Sequence, residues 1–136
     1  KQHRATYYEL LNRVRRDGDW EAWLAFFVEG VRVTADSAVR AAQRLAEMFG
    51  EDRSRILPKG RRAGSALRVH EALKTRPITS MKETCRTTGL SFPAVSSAME
   101  LLVDLKIARE LTGKRRNRLF VYDRYLATLN EGTEMD

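Results

Sequence analysis

The chain has 136 residues, of which 43% are hydrophobic and 32% are charged, the proportions of a folded chain rather than a disordered one. Its formal net charge of +7 favours polyanionic partners, although net charge carries no information about the fold. No apolar run approaches the roughly 20 residues that a membrane-spanning helix needs, so no membrane partner is expected.

The charge distribution and the single cysteine indicate which half of the chain is basic and which cellular compartment is expected. Residues 59–126 contain 15 Lys and Arg against 6 Asp and Glu, whereas residues 1–58 are nearly balanced, with 10 against 9. The basic character therefore belongs to the second half of the chain. Cys85 is the only cysteine, which excludes an intrachain disulfide and indicates a reducing, cytoplasmic location. Because the chain begins with Lys1, we expect it to be part of a longer protein.

Two helical patterns open the chain. Residues 5–16 place apolar side chains on one helical face, and the run Asp17-Gly18-Asp19 should end that helix. Asp19 is well placed to cap the next helix by accepting from a first-turn N–H. In that helix the apolar residues recur at helical spacings: Trp20, Trp23, Leu24, Phe27 and Val31. We predict that this stripe belongs to the core, with self-association as the alternative if it is exposed.

A third helical pattern runs from Thr34 to Phe49. Its apolar positions are spaced by 3 and 4 residues, like a short heptad repeat: Ala35, Ala38, Ala42, Leu45 and Phe49. Packing within the chain is the favoured interpretation, and pairing of segment 20–49 between two chains, which would give a homodimer, is the alternative. Gly50 should end the helix, and the Pro, Gly and basic residues of 50–64 then indicate a linker.

The second half begins with two more helical segments. Residues 65–76 predict a helix that ends before Pro77. Ser80 and Glu83 form a capping box, in which each side chain satisfies the backbone N–H of the other residue. The short helix that follows should end at Gly89, which can adopt a left-handed conformation.

A third helix and a hairpin complete this half. Ser91 suits the N-cap of the helix and Pro93 its first turn, and its buried face is predicted to comprise Val95, Ala98, Met99, Leu102 and Leu105. Segments 107–111 and 118–122 alternate like two strands joined by a basic turn. Residues 123–130 then predict a short closing helix.

Helix, helix-turn-helix and β-hairpin in this order are typical of a winged helix-turn-helix domain, whose second paired helix can enter a DNA major groove. We therefore expect a mainly α fold with a small β-hairpin. The predicted parts are an N-terminal helical segment over 1–49, a basic linker over 50–64, a winged helix-turn-helix domain over 65–130 and an acidic tail over 131–136.

Two segments resemble the C-terminal portion of bacterial Fic (filamentation induced by cyclic AMP) family proteins. RATYYELLNRVRRDGDWEAWLAFFVEGV, residues 4–31, is similar to the last helices of the Fic domain, after its active-site loop. Residues 78–130, which begin ITSMKETCRTTGLSFP and contain the run TGKRRNRLFVY, resemble the winged helix that often follows. Together the two segments cover most of the chain.

Members of this family usually transfer AMP from ATP to a protein hydroxyl with a loop of the form HPFxxGNGRxxR. The resemblance therefore implies a parent AMP transferase that uses ATP and Mg²⁺. This chain has no such loop, and neither His3 nor His70 precedes a GNGR run, so we expect a non-catalytic C-terminal module with no cofactor of its own. Lys106 is a further departure, because relatives often have a glycine between the third helix and the first wing strand.

The basic turn of the hairpin is the first candidate for contacting DNA. Long cationic side chains at a hairpin tip can bind phosphates or enter a minor groove, although exposed tips are often charged without binding anything. The residues predicted to make this contact are Lys114, Arg115, Arg116, Asn117 and Arg118.

The third helix is the second candidate. Its N-terminal residues could approach bases or phosphates: Ser91, Phe92, Ala94, Ser96 and Ser97. It offers no Arg, Lys, Asn or Gln for bidentate base recognition, and Glu100 and Asp104 would repel phosphate. A helix that only packs stays an open alternative. So does a winged helix used for protein–protein interaction or homodimerisation rather than DNA binding.

The other chemically capable residues favour structural roles. Cys85 has no second cysteine or nearby histidine, so core packing is expected. His3 and His70 are too few for a zinc site, which needs about four ligands. No carboxylate pair, nucleophile–base set or phosphate loop is present, so we predict no catalytic residue and no metal site.

Overall fold

A computed structural model describes residues 3–131 of the chain. Six α-helices form most of it: α1 (Arg4–Asp17), α2 (Trp20–Ile56), α3 (Ala63–Thr75), α4 (Met81–Thr88), α5 (Phe92–Asp104) and α6 (Asp123–Glu131). A short 3₁₀ helix (Gly60–Arg62) precedes α3, and the strands are β1 (Ile78–Ser80), β2 (Arg109–Glu110) and β3 (Leu119–Val121). The fold is mainly α with a small β-sheet, as predicted. The predicted acidic tail lies outside the described residues beyond Glu131.

The N-terminal segment is a helical hairpin of α1 and the first part of α2. Gly18 ends α1 with a positive φ of 67°, a conformation that costs glycine no Cβ clash. Asp19 then caps α2, because its Oδ1 accepts the N–H of Ala22 at 3.2 Å. Both signals were predicted and are confirmed. No helix within residues 3–131 has a stretch apolar and long enough to cross a bilayer.

The helix α2 runs unbroken for 37 residues, so the prediction that it ends at Gly50 is wrong. A glycine inside a helix costs only about 1 kcal/mol relative to alanine, which packing on either side of it can offset. Met48, Asp52 and Ile56 are all buried against the C-terminal helices. Residues 50–56 are therefore helical rather than part of a linker, and the predicted 50–64 linker shrinks to residues 57–62.

The predicted core position of the N-terminal stripe is also wrong. Trp20, Leu24, Phe27 and Val31 are each at least half exposed, and Trp23 is half-buried. Further along the same face, the alanines are exposed as well: Ala35, Ala38 and Ala42. Leu45 and Phe49 do pack against the core. The favoured interpretation of packing within the chain therefore holds only for the last two members of the 35–49 pattern.

The helices α3, α4 and α5 pack together as a three-helix core. Ser80 caps α4 by accepting the N–H of Glu83 at 3.2 Å, and Gly89 ends it with a φ of 67°. The buried face of α5 is confirmed for Val95, Ala98, Met99 and Leu102, whereas Leu105 is only half-buried. Ser91 is the N-cap residue of α5, but its side chain makes no capping hydrogen bond.

The sheet has three antiparallel strands in the order β1-β3-β2. Thr79 lies opposite Phe120 in one pair and Glu110 lies opposite Phe120 in the other. The sequence pattern does not predict β1, because three residues are too few to show alternation. The strand predicted over 107–111 shortens to β2, since the N–H groups of Ile107 and Ala108 donate to the Leu102 carbonyl at the end of α5.

Lys106 occupies the tight turn between α5 and β2. Its φ is 55°, in the left-handed region that side chains with a Cβ rarely adopt. The resemblance to Fic proteins leads one to expect a glycine here, and the backbone adopts the conformation that glycine favours. The lysine therefore leaves the turn in place and introduces local strain.

Candidate nucleic-acid interface

The wing, the hairpin formed by β2 and β3 with its connecting loop, ends in a compact loop. The Leu111 N–H donates to the Leu119 carbonyl at 2.8 Å, which fixes the loop base. Gly113 and Asn117 both have positive φ values, 59° and 54°, and glycine and asparagine are the residues that tolerate this conformation best. The chain thus reverses over residues 113–117, here called the wing tip.

The wing tip presents free positive charge. Lys114, Arg115 and Arg116 are exposed, and within the described residues their side chains form no ion pair. Asn117 is exposed beside them. Most other arginines in this half are held by a carboxylate or a carbonyl: Arg62, Arg68, Arg76, Arg86, Arg109 and Arg124. The tip cations are therefore available to a polyanion without first breaking an internal contact.

Arg118 differs from its neighbours at the wing tip. Its Nη2 lies 2.8 Å from Glu110 Oε2, and its guanidinium stacks on the Phe120 ring, 4.9 Å from the centroid. The Arg118 hydrogen bond lowers the pKa of the Glu110 carboxyl. Arg118 is thus held at the wing base. Of the five wing residues predicted to contact DNA, the other four are exposed at the wing tip.

The predicted contacts on α5 separate into two groups. Ser91 and Phe92 are exposed, with Phe92 60% accessible. Ala94, Ser96 and Ser97 are half-buried. The Ser96 hydroxyl lies 3.4 Å from a Glu100 carboxylate oxygen, and the Ser97 carbonyl accepts from Arg62 at 2.7 Å. Only the first two residues are therefore open to a partner.

The side of α5 that faces the wing is acidic. Glu100 and Asp104 are exposed and line a shallow groove between α4, α5 and β3, with Arg118 on its opposite side. These carboxylates repel phosphate. The wing tip therefore carries exposed positive charge, whereas α5 itself contains no Lys or Arg.

A buried polar network ties α2 to the wing. The Tyr122 hydroxyl donates to Asp52 Oδ2 at 2.5 Å, and both side chains are fully buried. Arg124 and Arg55 approach the other Asp52 oxygen at 3.0 and 3.2 Å. Burial raises the pKa of Tyr122 well above its ordinary value, and the Asp52 hydrogen bond adds to the effect. Sequence reasoning missed this network, because Asp52 lies 70 residues from Tyr122 and within a charged stretch that indicates a linker.

His70 is the third buried member of the network. Its Nε2 lies 3.1 Å from the Tyr122 hydroxyl. Because that hydroxyl donates its only proton to Asp52, His70 Nε2 must be the donor to the tyrosine oxygen. Nδ1 then has no partner within the described residues. Burial, with Lys74 nearby, lowers the pKa of His70, which favours the neutral imidazole in the folded protein.

The pH dependence of stability should follow from His70. Its folded pKa lies below the ordinary value of about 6.5, so the unfolded chain binds the proton first as the pH falls. We expect the free energy of unfolding to be level above pH 7 and to decrease below pH 6.5, by at most about 1.4 kcal/mol per pH unit. Urea titrations between pH 7.5 and 5 would measure this slope. A His70→Gln variant should have a weaker slope over the same range, and an equal slope would contradict the assignment.

The other candidate groups lie apart from the wing. Cys85 is half-buried and packs against the core, and the ring of His3 contacts Phe26 in the N-terminal hairpin. Within residues 3–131, no group of three or more His, Cys, Asp or Glu side chains is arranged to hold a metal ion.

Comparisons with known proteins add little to this geometry. No protein-family model matches the chain, and no curated protein sequence matches it. Among solved structures, the chain is similar to RV1404 from Mycobacterium tuberculosis, with a TM-score of 0.43 and 17% sequence identity over 76% of this chain and 72% of that one. Values this low support no inference about function.

Proposed function

We propose that this chain is a DNA-binding module whose wing tip binds the phosphates of duplex DNA. The observation that supports this function best is the group Lys114, Arg115 and Arg116, which are exposed and unpaired on a loop anchored by the sheet. Neutralising phosphates releases condensed counterions, so binding of this kind depends steeply on salt.

The exposed wing cations and the short side chains at the start of α5 favour binding to DNA of any sequence over selection of one sequence. Sequence specificity usually requires Arg, Lys, Asn or Gln side chains that reach base edges, and the exposed start of α5 offers only Ser91, Phe92 and Pro93. Glu100 and Asp104 further weaken any approach of α5 to the backbone. We therefore propose a module that holds DNA electrostatically and discriminates little between sequences.

Replacing Arg115 and Arg116 together with alanine tests the proposal. We expect the variant to bind a 20-base-pair duplex about tenfold or more weakly near physiological salt, and its log–log salt slope to fall by about 1.8, since each lost phosphate contact removes roughly 0.9. Fluorescence anisotropy over a range of salt concentrations gives both quantities. The loss should be similar for two duplexes of unrelated sequence.

Arg15 and Arg16 provide a matched control. They are also adjacent, exposed arginines with no ion pair within residues 3–131, and their replacement removes the same two charges from the N-terminal hairpin. This variant should bind DNA nearly as well as the unaltered chain. Equal losses in the two double variants, or no binding by the unaltered chain, would contradict a specific role for the wing tip.

We further propose that the module belongs to a Fic-type AMP transferase, where it has a targeting or regulatory role in the cytoplasm. Support comes from the resemblance of residues 4–31 and 78–130 to that family. ATP and Mg²⁺ would bind to the Fic domain and not to this chain. Sequencing of the complete reading frame tests this part: an HPFxxGNGRxxR loop upstream of Lys1 would support it, and its absence would contradict it.

A protein-binding winged helix is the second candidate function. The exposed Phe92, together with the acidic side chains of Glu100 and Asp104, favours a protein partner for α5 over DNA. The DNA-binding titration described above distinguishes the two functions. Absence of DNA binding at moderate salt by a folded chain would favour the protein partner.

A further inference from the structure

One apolar face of α2 lies bare over more than five helical turns. Its members, here called the exposed stripe, recur every 3 or 4 residues: Trp20, Leu24, Phe27, Val31, Ala35, Ala38 and Ala42. The four large residues are 57%, 50%, 53% and 54% accessible in that order. Trp23 stacks on Phe27, with ring centroids 5.4 Å apart, which holds the aromatic part of the stripe in place.

The same helical face is covered further along the helix. Leu45, Phe49 and Ile56 continue the spacing of the exposed stripe, and there the face packs into the core of the chain's own C-terminal helices. The helix α1 does not cover the bare part, because it lies against the side of α2 that carries Phe26. The exposed stripe is therefore a core-forming surface that no residue within 3–131 covers between residues 20 and 42.

If two identical copies pair antiparallel through the exposed stripe, the large residues of one copy face the small residues of the other. About a twofold axis at Val31, an antiparallel second copy places Trp20 opposite Ala42. Leu24 then faces Ala38, and Phe27 faces Ala35. Each bulky side chain meets an alanine, which is the alternation that fills space between packed helices. Parallel pairing would instead place bulky residues against each other at one end and alanines at the other.

The exposed stripe is wide as well as long. With the adjacent Val28 and Val39, it presents six large apolar side chains that are each at least half accessible. Contiguous exposed apolar surface of this kind marks an interaction site in a soluble protein. We propose that the occupant of the exposed stripe is a second copy of this chain, paired antiparallel through α2.

The limits of the bare segment fit this arrangement. It begins after the turn at Gly18 and ends before Leu45, where the C-terminal helices cover the face. In the antiparallel pair, the turn of each copy falls beside the C-terminal helices of the other, so that the bare segments overlap along their full length. The two wings then lie at opposite ends of the dimer. This proposal is independent of DNA binding, because it involves no wing residue.

Val31 and Val33 provide a matched pair of variants. Val31 lies on the proposed twofold axis, whereas Val33 is 46% accessible on another side of the helix. We expect the unaltered chain to be a dimer at micromolar concentration, and Val31→Asp to raise the dimer dissociation constant at least about tenfold, because it buries two facing carboxylates. Val33→Asp should leave the constant nearly unchanged. Sedimentation velocity measures both, and circular dichroism should show unchanged helix content because both positions are exposed.

Disulfide cross-linking tests the antiparallel register. With Cys85 replaced by alanine, a mixture of Leu24→Cys and Ala38→Cys chains should cross-link efficiently. Neither variant should cross-link alone, because like positions would lie roughly 20 Å apart along the helix. Val31→Cys should cross-link to itself. A monomeric unaltered chain, equal effects of the two aspartate variants, or efficient self-linking of Leu24→Cys would overturn the proposal. Loss of the dimer in a longer chain that includes the upstream Fic domain proposed above would also overturn it, because that domain would then cover the exposed stripe.

Discussion

Replacing Asp52 with alanine is expected to lower the free energy of unfolding by about 2–4 kcal/mol, because a buried hydrogen-bonded carboxyl group is removed and the Tyr122 hydroxyl that it accepts from stays buried. The variant leaves the Tyr122 hydroxyl without its acceptor and removes the shared partner of Arg55 and Arg124. Urea unfolding followed by circular dichroism at pH 7 measures the loss.

Glu51 supplies the control for Asp52. It is the preceding residue in α2 and also binds Arg124, at 2.9 Å, but its side chain is exposed. An exposed ion pair contributes little, so Glu51→Ala should cost less than about 0.5 kcal/mol. Similar costs for the two alanine variants would show that the network contributes no more than surface charge does.

Replacing Phe120 with alanine is expected to cost about 3–5 kcal/mol, the usual loss for a buried phenylalanine that leaves a cavity. Phe120 is 2% accessible and sits in the central strand, between Thr79 of β1 and Glu110 of β2. Its ring also supports the Arg118 guanidinium. Thermal and urea unfolding measure the loss of stability.

Leu119→Ala is the matched control for Phe120. Leu119 precedes it in β3 and points to the other side of the sheet, where it is exposed. We expect this variant to lose less than about 1 kcal/mol, since little apolar surface leaves the core. If the two substitutions cost the same, the wing would not depend on Phe120 for its attachment to the core.

The Asp52 network also has a consequence for the proposed dimer. Asp52 belongs to α2, and Tyr122 directly follows the last strand of the wing. The hydrogen bond between them therefore fixes the direction of the wing relative to the helix that carries the exposed stripe. In a dimer paired through α2, this contact would determine how far apart the two wing tips lie.

Local signals in the sequence predicted several helix ends correctly in both halves of the chain. Asp19 and Ser80 accept capping hydrogen bonds, and Gly18 and Gly89 adopt left-handed conformations. Such features depend on residues within a few positions of one another, so they can be recognised without the fold. The buried face of α5 was equally predictable, since its period of 3.6 repeats over three turns.

The candidate site was predictable only in part. A basic run between two alternating segments indicated the wing tip, and Lys114, Arg115 and Arg116 are exposed there. The engagement of Arg118 with Glu110 and Phe120 could not be foreseen, because it depends on the pairing of β2 with β3. The partial burial of Ser96 and Ser97 likewise results from how α5 packs, which a helical period does not specify.

Short-range backbone preferences and composition were sufficient to predict most helix ends and the basic wing. Contacts between distant segments carry α2 through Gly50 and bury Asp52, and their absence leaves the stripe from Trp20 to Ala42 bare. An apolar helical face shows that its burial is favourable. It does not show which surface, in the same chain or in another, covers it. The physical reason is that hydrophobic burial is non-directional, so the partner depends on the spatial arrangement of distant segments.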